Sequence, residues 1–455
     1  MALYLRTSEH RVGVIGLYAS GKTVFLTSLI NHLKDQLPDR FELGTPAQPV
    51  AISRFTVLDS DPGWPAFNYA QYRDTLAKRH RWPKKTTDRS QFVCRFQRSD
   101  WYFTDVLLKL YDLPGERIAD AIMYAKDYAG WSDHMLKLLR ENSDYTKHAG
   151  EFLALQSQAG VAEAELIHAY KLVLGRLIHD YKPYISPSTF LTDTQGSNAP
   201  NVGPIQLAEQ RICGLDAGSQ FVPMSPTLRQ ENPGLTQTFA QRYAQYRQQV
   251  VCPTIETLAT CNALIVLVDV TMLLSGGEGM YNDNRQILQD IIEVLDPGES
   301  IIGKLLRNTL YQLLPSGWRP GWITKIAFVA PKLDCVAPQD RDKLISLLRR
   351  MVHRHTERFD GVQVRYFNCA AALSTRVFDD RSRTLLGLPM YDETGAGIQP
   401  AEERKLVVSE VPSDWPASWS PGQYRFADVY PRLPPRKDLA PEQVNLDRIL
   451  QFILE

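Results

Sequence analysis

The segment Gly16–Thr23, GLYASGKT, constrains this chain more than any other stretch. It follows RVGVIG, an apolar run that reads as a buried strand. It precedes VFLTSLINHL, where Phe25, Leu26, Leu29, Ile30 and Leu33 recur at helical spacing. Strand, glycine-rich loop and helix in that order are what a phosphate cradle requires. Glycine lets the backbone curl until successive N–H groups converge on one phosphate, and the helix N-terminus adds its positive end. Gly16, Ala19, Ser20, Gly21, Lys22, Thr23 and Val24 form the expected phosphate-binding set. Lys22 is the mobile cation that reaches the β and γ phosphates, and the Thr23 hydroxyl is an expected Mg²⁺ ligand.

A second signal is LLKLYDLPGER, Leu107–Arg117. An apolar strand ends at Asp112 and Gly115 follows three residues later. A carboxylate there can hold Mg²⁺, directly or through water, while the Gly115 N–H turns toward a γ-phosphate and senses its presence. Isolated, D-x-x-G marks an ordinary turn. After a phosphate loop it predicts the metal and sensor positions of a nucleotide site.

Composition removes several classes of function. With 44% hydrophobic and 22% charged residues the chain is an ordinary globular sequence. Lys plus Arg and Asp plus Glu are both 51, so net charge is zero and a non-specific grip on nucleic acid is not expected. The six cysteines form no CxxC pair, which argues against a zinc site or a disulfide framework and predicts a reducing, cytoplasmic setting. The start, MALYLRTSEHR, lacks a secretory apolar run. The most apolar segment, Ala263–Leu274, is interrupted by Asp269 and too short to span a bilayer. His353 and His355 lie two apart in a helical-looking stretch, where they do not share a face, so they read as surface or packing residues.

The third signal, KIAFVAPKLDCV (Lys325–Val336), brings the chain to resemble the P-loop GTPases, whose guanine-reading motif is [NT]-K-x-D. The resemblance implies that the Asp334 carboxylate accepts from the guanine N1–H and 2-amino group and that the Lys332 stem covers the base. Pro331 departs from the pattern, because proline has neither the tethering polar side chain nor an N–H. Adenine recognition, and hence an ATPase, therefore stays open beside guanine recognition. Ala370, in Asn368–Ala370, is the position matching the segment that offers an N–H to the guanine O6.

Taken together, GLYASGKTVFLTSLINHL, WPKKTT (Trp82–Thr87), LYDLPGER, YAGWS (Tyr128–Ser132) and the late KLD resemble the YcjX family of bacterial stress-associated, P-loop GTPase-like proteins over nearly the whole chain. That resemblance implies a Ras-like P-loop NTPase core, α/β with a mostly parallel sheet and helices on both faces. It also implies a large, mainly helical insertion and an extended C-terminal tail. The expected segments are 9–125 and 255–410 for the core, 126–254 for the insertion, and 411–455 for a proline-rich tail with a terminal helix. Residues 38–105 are expected to contribute a two-strand ribbon.

The implied activity is slow Mg²⁺-dependent hydrolysis of GTP to GDP and phosphate, coupled to a conformational switch in stress response. A scaffold that binds nucleotide with negligible turnover is the other alternative. Thr86 or Thr87 is the expected switch threonine, contributing to the metal and, for Thr87, to catalysis. Glu116 stands where related GTPases carry a water-orienting glutamine, so Lys22, Thr87, Gly115 and Glu116 form the expected catalytic set. Arg89 and Arg117 are candidate internal arginine fingers. A protein partner is expected through the insertion or the apolar C-terminal helix, with weak peripheral membrane contact as a lesser expectation and no specific nucleic acid.

Overall fold

The apolar run ahead of the phosphate loop forms β1 (Arg6–Gly16), whose last five residues are all buried. A strand buried on both faces needs neighbours on both edges, and β1 has them. The structure, a computed structural model, describes residues 6–17, 20–45, 47–79, 81–83, 89–101, 103–158, 160–179, 186–188, 217–295, 323–356, 362–379, 382–391, 397 and 402–455. Within them the chain divides into two compact units. The first comprises Met1–Pro114, Thr260–Glu278 and Pro320–Glu455, and the second comprises Gly115–Ala259 and Gly279–Arg319.

The first unit is α/β. After β1 and helix α1 (Lys22–Asp35) come β2 (Leu43–Thr45) and β3 (Gln48–Val50), which pair antiparallel. They are followed by β4 (Ile52–Leu58), β5 (Ser90–Arg98), β6 (Thr104–Asp112), β7 (Ala263–Leu267), β8 (Lys325–Ala330) and β9 (Gln363–Asn368). Seven strands form one sheet in the order β4-β5-β6-β1-β7-β8-β9. The five from β6 to β9 run parallel, whereas β4 and β5 are antiparallel. The ribbon expected within 38–105 is thus β4 and β5, zipped onto β6. A second sheet gathers β10 (Thr375–Asp379), β11 (Thr384–Pro389), β12 (Arg404–Val407) and β13 (Val429–Tyr430).

The unbroken apolar character of β7 follows from its place between β1 and β8, and all five of its residues are buried. The helical periodicity after the phosphate loop has its physical counterpart in α1. There Phe25, Leu26, Leu29, Ile30 and Leu33 pack in one cluster with Val12 and Val14 of β1. The same cluster takes Leu446, Ile449, Leu450, Phe452, Ile453 and Leu454 of the C-terminal helix Leu446–Leu454, each no more than 2% exposed. This corrects the expectation of a docking helix or a peripheral membrane contact there. The apolar face is covered by the chain's own sheet, with Phe452 against Phe367 of β9.

The second unit is mainly helical, with helices Tyr128–Glu141, Ser143–Leu155, Glu163–His179, Pro233–Tyr246 and Cys252–Thr260. A π-helical turn at Arg247–Val251 joins the last two. The YAGWS segment supplies its core. Trp131 is fully buried against the rings of Phe221 and Tyr243, and the Tyr128 hydroxyl donates to the Val222 carbonyl at 2.7 Å. That motif therefore has a packing role in this unit. No described helix is long and apolar enough to cross a membrane.

Candidate functional site

All three sequence signals fall at the carboxyl ends of parallel strands of one sheet, β6, β1 and β8, where open α/β sheets place their ligands. The register sets Val14 beside Asp112, Gly16 beside Leu267, and Leu267 beside Val329. One strand, β7, separates the loop after β1 from the loop after β8. At ordinary strand spacing that is about 10 Å, a distance that a nucleotide's sugar and phosphates can bridge.

The phosphate loop closes tightly on itself. Leu17 donates its N–H to the Leu267 carbonyl and Ser20 donates to the Leu17 carbonyl, both at 3.1 Å. A Cβ at Gly16 would come within 2.2 Å of the Ser20 hydroxyl oxygen, so any side chain there would force that hydroxyl to move. Gly21 caps α1 at φ 79°, a left-handed conformation natural to glycine. Lys22, Thr23 and Val24 then form the first turn of α1. Ser20 is 2% exposed, and among the described residues its hydroxyl has no hydrogen-bond partner. Tyr18 and Ala19 lie outside the described residues.

Lys22 and Asp112 form a buried ion pair through Nζ and Oδ1. Ser90 donates to the other carboxylate oxygen at 3.4 Å. Two charges can stay this deeply buried only while paired, and removal of either partner alone costs about 3–5 kcal/mol. The pair joins the expected phosphate-reaching cation to the expected metal carboxylate. Asp112 and Thr23 supply hard oxygen donors, one charged and one neutral. That set suits Mg²⁺, which takes one or two protein oxygens and completes its shell with phosphate and water. Among the described residues no cluster of three or more His, Cys, Asp or Glu side chains forms an all-protein metal cage.

The other expected residues are placed as follows. Gly115 begins a 3₁₀ turn, Gly115–Asp120, which includes Glu116, whose side chain is outside the described residues. Thr86 and Thr87 also lie outside them. Trp82, just ahead, donates its indole N–H to the Val429 carbonyl at 2.8 Å. Arg89 stacks its guanidinium on Trp64 at 4.9 Å, and Arg117 donates to the Tyr246 hydroxyl at 3.4 Å.

The loop after β8 is built around Asp334, which is 4% exposed. Its Oδ2 accepts from the Ser374 N–H and hydroxyl at 2.6 Å each and from the Thr375 N–H at 3.3 Å. Lys332 has a left-handed backbone, φ 61°, and its Nζ lies 2.6 Å from Oδ2 of Asp269. Burial works against the lysine charge, but the neighbouring carboxylate outweighs it and raises the Lys332 pKa. The Ala370 N–H donates to the Val444 carbonyl at 3.1 Å, which takes up the donor that the resemblance aims at a base.

Two residues here escape sequence reasoning. Ser374 follows no motif, and only the fold brings it to Asp334. Asp269 does leave a trace, because a carboxylate ending an otherwise apolar buried strand must find a partner.

A family model described as YcjX-like family, DUF463, matches residues 10–455. The chain belongs to this family. Among its YcjX-like relatives is the Ras-like GTPase YcjX of Escherichia coli (strain K12), 24% identical over 475 residues, covering 98% of this chain and 95% of that protein. The Ras-like GTPase YcjX of Shewanella oneidensis (strain ATCC 700550 / MR-1) is 23% identical over 499 residues, covering 100% and 96%.

Proposed function

We propose that this YcjX-like chain binds GTP with Mg²⁺ and hydrolyses it slowly to GDP and phosphate, as a nucleotide-dependent switch of the stress-response type. The observation that carries the reading is the buried Lys22–Asp112 pair at the carboxyl ends of β1 and β6. A triphosphate entering the loop after β1 gives the ammonium a better-charged partner than one carboxylate, and frees Asp112 for a cation. The relatives' printed name, Ras-like GTPase, supports the same class of reaction.

Bound Mg²⁺ supplies Lewis-acid neutralisation of the phosphate oxygens. Thr23 and Asp112 would hold it, and Thr86 or Thr87 would add a hydroxyl in the triphosphate state. Lys22 and the loop N–H groups stabilise the charge that grows on the phosphate oxygens as water attacks and GDP leaves. Gly115 turns its N–H to the γ-phosphate, and Glu116 orients the water. No covalent intermediate is needed. Asp334 selects guanine through its carboxylate, oriented by Ser374, while Lys332 covers the base. A protein partner would meet the helical residues within 126–254.

The test is displacement of a labelled GDP by unlabelled GDP and ADP, with phosphate release followed over hours. GDP competing at least tenfold better than ADP is expected. Equal competition would favour the ATPase reading, which Pro331 motivates. Lys22→Gln keeps a hydrogen-bonding group beside Asp112, so it should fold and yet lose GDP affinity by about 100-fold or more. Near-native affinity in the folded variant would remove the phosphate-loop assignment. Phosphate release no faster than in Lys22→Gln would leave a binding scaffold.

A further inference from the structure

Asp269 lies two residues past β7, is 1% exposed, and follows the strand that runs between β1 and β8. Its two carboxylate oxygens have separate tasks. Oδ1 accepts from the Thr271 hydroxyl at 2.6 Å and the Met272 N–H at 2.9 Å, capping the helical stretch that starts at Val270. That cap requires an acceptor but no charge, since serine and asparagine serve as well. Oδ2 faces the Lys332 ammonium at 2.6 Å. Among the described residues, the charge of Asp269 is answered by Lys332.

Lys332 needs such a hold. Its φ of 61° is uncommon for a side-chain-bearing residue, so the surroundings must impose it. The preceding Pro331 has no N–H and no polar side chain with which to fasten the loop. The Leu333 N–H is fastened to the Cys369 carbonyl at 3.0 Å, which fixes the far side of Lys332 but not its side chain. About two-fifths of that side chain is open to solvent, 41%, so the ammonium would otherwise be free to swing out. The Asp428 carboxylate also feels both Lys332 and Asp269. Burial raises its pKa, and Lys332 opposes that rise.

We infer that Asp269 is a positioning residue for base recognition, holding Lys332 so that its stem lies over the base while Asp334 reads the base edge. In this chain the anchor comes from the neighbouring strand end and replaces a tether that Pro331 does not supply. The inference rests on the nucleotide-binding reading above and adds to it a residue that touches neither phosphate nor base.

The experiment measures GDP and ADP affinities by titration calorimetry on the full chain with Mg²⁺. It compares wild type, Asp269→Asn, Lys332→Met and the double variant. Asparagine keeps the oxygen that caps the helix and removes the charge. GDP affinity should fall about tenfold, the scale of one close charged contact, with ADP affinity within about twofold of wild type. The double variant should bind GDP no worse than Lys332→Met alone, because both changes remove one interaction. A merely structural Asp269 would lower both affinities together, or add its cost to that of Lys332→Met, and either result overturns the inference. Should Asp269→Asn fail to fold, Asp269→Ser keeps a capping hydroxyl without charge and is read by the same criteria. If the wild type binds GDP and ADP alike, the guanine reading falls and the inference with it. If the wild type prefers GDP and the Asp269 variants prefer it equally, the inference alone falls.

Discussion

His32 shows how a single side chain ties this fold to pH. It lies on α1, the helix that begins at the phosphate loop, is 2% exposed, and stacks on Phe41. Its Nε2 is 2.9 Å from the Pro441 carbonyl, and a carbonyl only accepts, so Nε2 carries the proton of a neutral ring. Burial lowers its pKa from 6.5 to about 4, the Pro441 carbonyl offsets part of the shift, and the Arg40 charge lowers it further. The unfolded chain therefore binds a proton below about pH 6.5 that the folded chain refuses until about pH 4. Stability from this residue is fully present above 6.5 and falls as pH drops toward 4, by about 2 kcal/mol at pH 5. His10 and His134 carry depressed values from the same dominant cause, burial, and add to the slope. His32→Gln should keep most of the native stability at pH 7.5 and lose about 2 kcal/mol less than wild type on going to pH 5. Urea denaturation at the two pH values measures this. Identical pH slopes in the two proteins would show that His32 is not held neutral.

At the scale of elements, the C-terminal helix Leu446–Leu454 is a wall of the first unit's core. Phe452 is 2% exposed, packs on Phe367, and carries the Arg365 guanidinium over its ring at 4.9 Å. Phe452→Ala should destabilise the first unit by about 3–5 kcal/mol, read from denaturant midpoints, because it leaves a cavity between helix and sheet. A loss below about 1 kcal/mol would mean that the helix is held loosely. The helix also shows where sequence reasoning stops. A 3.6-residue apolar period fixes which face is buried but not what buries it, so β2 and β8 as its partners were not legible, and an outside partner was a natural expectation. The strand, loop and helix around Gly16–Thr23 were legible because every needed residue is contiguous. Asp112 was legible because it ends an apolar strand, and Asp334 because it completes a K-x-D pattern just past one. Ser374 and Asp269 act on partners 40 or more positions away in the chain, and no local pattern marks such a pairing. The Ala370 N–H went to Val444 for the same reason, since its neighbour is decided by the fold of the tail.

For the whole molecule, the division into two compact units falls between Pro114 and Gly115, inside the D-x-x-G segment. The first residues of the second unit, Gly115–Asp120, are secured by Asp120, which is fully buried. Its carboxylate accepts from the Ser186 hydroxyl at 2.9 Å, from the Ser188 N–H at 2.9 and 3.0 Å, and from the Tyr246 hydroxyl at 2.7 Å. Burial raises its pKa, and these donors oppose the rise. All of the partners belong to the second unit, whereas Lys22, Asp112, Asp269, Lys332 and Asp334 belong to the first. Asp120→Asn replaces one acceptor oxygen with an N–H₂ that faces donors, and leaving such groups unsatisfied costs about 1–3 kcal/mol each. The expected outcome has two parts. Hydrogen exchange should quicken in Gly115–Asp120 and in Pro233–Tyr246, while GDP affinity stays within about threefold, since the residues proposed to hold GDP are untouched. Affinity for a non-hydrolysable GTP analogue should fall more than that for GDP, because Gly115 is the proposed γ-phosphate contact and the turn it begins has lost its anchor. Equal loss of both nucleotides would show that the turn's anchor does not act through the γ-phosphate. An unchanged ratio of analogue to GDP affinity, with exchange in Gly115–Asp120 clearly faster, would show that the state of this turn is not read by the γ-phosphate.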